Sequence, residues 1–189
     1  MSGVCSYGIP ISKDLIQQAF NGQYMEDFLE LNRLCVDENL PKNALSFFVG
    51  QTLNMLPKPK VIVSYADSGQ HHHGYIYQAT NWIYTGLSNS VNDVMVKGFE
   101  GCHPRTFYAW DLKDVKGDTL YEKLCNKFGE ENVYFKERSR KHRYFYLIGD
   151  RRQRKAMRKL LKYEECPYPK GDNERYDASH ICRKQGLLF

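Results

Sequence analysis

Apolar and polar positions along the chain change period several times, and each change marks an element. Residues 3–9 (GVCSYGI) predict a strand that ends at Pro10, and 12–20 (SKDLIQQAF) a short helix with Ser12 as N-cap. FLELNRLCV (28–36) alternates and predicts a strand leading into a turn. Asn43 is placed to cap ALSFFVGQTLNML, a helix stopped by Pro57 and Pro59. KVIVSY (60–65) is a continuous apolar run, the signature of a buried strand. A helix around 73–81 and a strand at 82–88 (WIYTGLS) follow.

Beyond residue 89 the periodicity weakens. GDTLYEKLCNKFG (117–129) predicts a helix ended by Gly129. VYF (133–135) and RYFYLIG (143–149) predict strands. DRRQRKAMRKLLKY (150–163) predicts a basic helix with Ala156, Met157, Leu160 and Leu161 inward. The tail from Cys166 onward is turn-rich and predicts irregular structure. Strands alternating with helices imply an α/β or α+β fold. The chain reads as a single domain, with a core about 1–90 and a basic C-terminal part about 91–189.

The composition, 42% hydrophobic with 14% aromatic residues in 189, supports a core and argues against disorder. No apolar run approaches a membrane span, and MSGVCSYGIP lacks a signal-peptide core, so the expectation is a cytoplasmic protein without membrane contact. Six cysteines without a CxxC pair predict reduced thiols and argue against structural zinc. The net charge of +5 conceals an asymmetry. Residues 136–162 carry twelve Lys and Arg against Glu137 and Asp150, leaving the rest of the chain net negative. That asymmetry points to a polyanion partner; the alternative is a solvated basic helix face.

The densest chemistry lies in 64-SYADSGQHHHGYIYQATNWIYTG-86. Asp67 follows the buried strand as a catalytic or ligating acid or as a turn cap. Tyr77 by itself reads as a core aromatic with a satisfied hydroxyl. Neutral imidazoles suit iron or zinc, but consecutive side chains rarely converge, so at most two of His71, His72 and His73 would bind a metal. Tyr75, Trp82 and Tyr84 suit stacking on an extruded base or, for the residues two apart, a shared core face.

The order strand, helix start, buried strand, helix, strand resembles the acyl-CoA half of a GCN5-related N-acetyltransferase. IYQATNWIYTG looks like the superfamily segment whose tyrosine lies near the CoA sulfur, and that position is Tyr77. The loop NLPKNA (39–44) keeps Ala44 and has Lys42 where a glycine is usual. The set LNRL, LPKNALSF, VSYAD, HHGYIYQATNWIYTG, KHRY and PYPK is similar to the phage Mom family across about residues 3–177.

Members of that family convert adenine N6 of phage DNA to N6-methylcarbamoyladenine and so block host restriction. The resemblance therefore implies a transferase acting on double-stranded DNA in the host cytoplasm, with acetyl-CoA as cofactor and iron as a second. It implies Asp67 and Tyr77 as catalytic, and Asp67, His73 and Tyr77 as metal ligands. Arg33, Lys42, Asn43, Ala44 and Ser46 fall at the cofactor; Arg33 is alternatively an ion-pair partner. Tyr75, Trp82, Tyr84, Lys141, His142, Arg143, Arg151 and Arg154 fall at substrate and DNA. The family's upstream His-His-Tyr element is not within this sequence. A truncated sheet edge would favour a homodimer. Two other readings stay open: CoA-dependent acyl transfer to another amine, and a relative that binds DNA without chemistry.

Overall fold

The computed structural model describes residues 2–10, 12–37 and 39–171. Its strands and α-helices in chain order are β1 (Gly3–Gly8), α1 (Lys13–Phe20), β2 (Phe28–Val36), α2 (Ala44–Met55), β3 (Lys60–Asp67), α3 (Tyr75–Ala79) and β4 (Ile83–Leu87). Then come β5 (Val91–Val96), α4 (Arg105–Ala109), α5 (Leu120–Phe128), β6 (Val133–Arg138), β7 (Lys141–Ile148) and α6 (Arg151–Leu160). The described chain forms two units, one of residues 2–88 with 141–171 and one of 89–140.

The first unit is a five-stranded mixed sheet in the order β1-β2-β3-β7-β4 with helices on both faces, the α/β architecture the alternation implies. β3 is central, and β7 pairs with it in antiparallel register from Lys60↔Ile148 to Asp67↔Lys141. One face carries Phe28, Val61, Val63, Phe145 and Leu147 under α1 and α6. The other carries Leu31, Ile62, Ala66 and Tyr144 under α2 and α3, together with Trp82 and Tyr84.

β2 and β3 are the parallel pair, and they stay together only over Phe28–Glu30 against Val61–Val63. Beyond Glu30, β2 follows β1 instead. A register shift opposes Ser6 to Arg33 and Tyr7 to Leu31, leaving Asn32 as the extra residue. Such a bulge bends its strand and strengthens the twist, and here it coincides with the parting of β2 from β3. The Ser64 hydroxyl bridges the base of this fork by donating to the Leu31 carbonyl at 3.0 Å.

Ser12 caps α1 as expected, its hydroxyl accepting from Leu15 N. Asn43 occupies the N-cap of α2 in a left-handed conformation but makes no side-chain cap bond. Thr119 caps α5 through a capping box with Glu122, so this helix starts later than the sequence suggests. β5 and α4 were not expected. β5 pairs with β6 along its whole length as a separate two-stranded sheet in the second unit, over a core of Met95, Val96, Phe107, Leu112, Leu124 and Val133. The expected irregular tail is without helix or strand through Gly171, and the remainder lies outside the described residues. Among the described residues no helix is long and apolar enough to cross a membrane.

Candidate functional site

The fork between β2 and β3 gathers polar side chains on both faces of the sheet. Tyr77 reaches it from α3, whose cap Gly74 has φ +70°. A Cβ on Gly74 would stand 2.6 Å from Tyr144 Cε2 and 2.9 Å from Tyr77 Cδ2, so only glycine lets α3 sit this close. The Tyr77 and Ser64 hydroxyls are 2.7 Å apart. Ser64 spends its one proton on Leu31, which leaves Tyr77 as donor in this pair. Burial raises the Tyr77 pKa above its ordinary value; the Ser64 bond opposes this, and the charges of Cys5 and Glu30 add to it. At neutral pH the group is a phenol with a proton to give.

Glu30 is the side chain the sequence reading missed. It is the last residue of the parallel pairing, opposite Val63, and alternation puts it on the face of Phe28. It is half-buried, and among the described residues its carboxylate has no hydrogen-bond partner. Burial raises its pKa, and the Lys141 charge partly counters that. Tyr65, on the same face, is pushed up to about 12, chiefly by burial, with Arg143 opposing. The signal in the sequence was an acid two residues after a core phenylalanine in an alternating strand.

Asp67 ends β3 in the alternation of Val63 and Tyr65, so its side chain starts from the face opposite to Ser64, Ala66 and Tyr77. Its carboxylate accepts from Gly69 N at 2.9 Å and caps the 3-10 turn Ser68–Gln70, which is the capping alternative the sequence left open. His71 is exposed with φ 52°. The His73 ring lies 5.5 Å from the His142 ring, and its buried Nδ1 has no hydrogen-bond partner among the described residues. His142 Nδ1 is 2.8 Å from the Tyr84 hydroxyl, and burial and the neighbouring His73 lower its pKa.

The expected iron donors therefore separate. Asp67 leaves one face, while Tyr77, bound to Ser64 and kept protonated, lies on the other. As placed, Asp67, His73 and Tyr77 do not form a ligand set. Among the described residues no three His, Cys, Asp or Glu side chains gather as a metal site either.

The expected cofactor residues follow the fork. Arg33 is exposed just past Asn32, donating to its carbonyl, and Lys42 is exposed in the loop that leads to α2. Ala44 opens the helix and Ser46 donates to the Asn43 carbonyl at 2.9 Å. The Ala44 amide donates to the Pro41 carbonyl at 3.1 Å, so the helix start offers a phosphate the amides of Leu45 and Ser46, with Lys42 exposed just ahead of it.

The expected DNA residues divide sharply. Trp82 (1% exposed) and Tyr84 (7%) are core, the alternative the sequence left open, because they pack on the face that α2 and α3 cover. Tyr75 is exposed and its hydroxyl donates to Gly171 O. His142 and Arg143 are buried rather than available to phosphate, since β7 is an inner strand with β3 on one side and β4 on the other. The Arg143 guanidinium lies 3.5 Å from the Tyr163 ring centroid and donates to Thr85. Lys141 is half-buried at the fork, whereas Arg151 and Arg154 are exposed on α6.

Comparison with known proteins completes the picture. The Mom protein family matches residues 1–170. The methylcarbamoylase mom of Escherichia phage Mu is 26% identical over 183 residues, covering 89% of this chain and 67% of that protein.

Proposed function

The chain belongs to the Mom protein family, and on that premise we propose that it is a DNA-modifying transferase that builds a methylcarbamoyl group onto adenine N6. The modified base would shield DNA from restriction. Support comes from the relative's name and from one observation above all: a proton-bearing tyrosine and a half-buried carboxylate, without a hydrogen-bond partner among the described residues, meet the same fork from opposite faces.

In this reading acetyl-CoA is held by the α2 start with Ala44 and Ser46, and by Lys42 and Arg33. It supplies the carbonyl carbon that bonds to N6 as its C–S bond breaks. The nitrogen between that carbonyl and the methyl comes from a separate nitrogen donor and oxidant, so Glu30 and Tyr77 serve the acyl-transfer half of the reaction. Adenine N6 is a poor nucleophile because its lone pair is delocalised into the ring. Glu30 accepts the N6 proton as the new N–C bond forms, and its raised pKa brings its basicity toward the working pH. Tyr77 gives its proton to the departing sulfur, and Ser64 holds the phenol in place. The cation of Lys141 balances charge near Glu30. Asp67 holds the turn that carries the chain from β3 toward α3.

The test is nucleoside mass spectrometry of plasmid DNA from cells making the protein. An adenosine-derived product with the methylcarbamoyl mass, lost in Tyr77→Phe, supports the proposal. An acetyl mass instead means plain acyl transfer. Unmodified DNA from folded protein moves the activity to another amine or to binding alone.

A further inference from the structure

A second cavity in the sheet unit is unused by this chemistry. It has a volume of about 530 Å³ and lies where β4 begins beside β7. Its floor is Ile83, Phe145 and Leu147, with Asn81 and Tyr146 at the side. Its wall is Arg151, Arg154, Lys155 and Arg158 from α6, and among the described residues no carboxylate lines it.

These four cations stand at i, i+3, i+4 and i+7, one stripe of the helix, with the buried Met157 about a third of a turn away. Arg158 is paired with Glu165. Arg151, Arg154 and Lys155 are exposed, and among the described residues they have no acidic partner. Unpaired like charges along one helix destabilise it, so a stripe of this kind points to a counter-charge supplied from outside. The three unpaired cations span roughly 6 Å at about 1.5 Å per residue, which corresponds to about two steps, and so three phosphates, of one DNA strand at about 3.4 Å each along its axis.

We infer that this cavity is the backbone clamp for duplex DNA: Arg151, Arg154 and Lys155 take successive phosphates, and the apolar floor with Tyr146 packs the intervening sugars. Asn81 is the one neutral amide among the lining side chains, able to donate to a sugar or phosphate oxygen. The inference rests on DNA being the substrate, and it moves the contact away from Trp82, Tyr84, His142 and Arg143, which the fold buries. Phosphate contacts of this kind position DNA without reading its sequence.

The experiment is fluorescence anisotropy of a labelled duplex across a salt series. It compares the full chain with a triple variant (Arg151→Gln, Arg154→Gln, Lys155→Gln) and a control with Lys113→Gln and Lys123→Gln in the second unit. Circular dichroism confirms that all three fold. The triple variant is expected to bind at least about tenfold more weakly, with the slope of log K on log salt reduced by about 2–3, from about 0.9 per phosphate; the control is expected to match wild type. Equal affinity and slope in the triple variant overturn the clamp even when wild type modifies DNA, which leaves the functional proposal standing. Wild type that does not bind DNA overturns both. Stoichiometric binding of adenosine 3′,5′-bisphosphate that the triple variant loses, with DNA binding unchanged, would assign the cavity to a small nucleotide instead.

Discussion

At the residue scale the account rests on Tyr77 and Glu30. Tyr77→Phe keeps the ring and removes the proton. Modification is expected to fall about 10²-fold or more, the usual share of a positioned acid, while stability drops by only about 0.5–1.5 kcal/mol for one lost hydrogen bond. Urea titration beside product yield separates the two effects. Glu30→Gln is expected to abolish the acidic limb of the pH–rate profile, since the base works only when ionised. Because its pKa is raised in the fold, that limb in wild type lies above the range of an exposed glutamate. The stability linkage has the opposite sense. A carboxyl with a raised folded pKa destabilises the fold once ionised, so the variant is expected to melt slightly higher than wild type at pH 7. The gain should vanish below the unfolded pKa of about 4.3. Equal melting at both pH values would place Glu30 in solvent. Tyr77 was visible in the sequence through its motif. Glu30 was not, because an alternating strand does not reveal where its neighbour departs.

At the element scale the fork depends on how closely α3 sits against β7. Gly74→Ala forces a left-handed alanine and a methyl into Tyr144. It is expected to cost about 2–4 kcal/mol from backbone and overpacking together, read by denaturant unfolding. Activity should fall further than in an equally unstable variant distant from Tyr77. Most first-unit elements were legible: β2 matches FLELNRLCV residue for residue, and Ser12 caps α1. The basic block KHR was misread because charge suggested surface. Its strand lies between β3 and β4, so alternate residues are covered on each face, and Arg143 is satisfied by Thr85 and Tyr163. Trp82 and Tyr84 illustrate the same limit, since aromatics suit a core and a base equally until the covering helices are known. β5 was missed because VNDVMV breaks its alternation and needs β6 to pair with.

At the scale of the whole chain, the sheet unit is interrupted in sequence between β4 and β7, yet its two cut ends meet. Ser88 N donates to Lys141 O at 2.7 Å, and Lys141 N donates to Ser88 Oγ at 3.0 Å. Replacing 89–140 with an Asn-Gly hairpin turn should therefore leave the sheet unit folded, because β4 and β7 are already antiparallel neighbours. Cooperative thermal unfolding of the shortened chain would bear this out, and a molten product would show that the second unit is needed for folding.

The most direct measurement remains the mass of adenosine nucleosides in DNA from cells making wild type, Tyr77→Phe or Glu30→Gln. The account predicts a methylcarbamoyl-adenosine peak with wild type and its loss in both variants, each still folded and still bound to DNA. The same peak at undiminished height in both variants would contradict it.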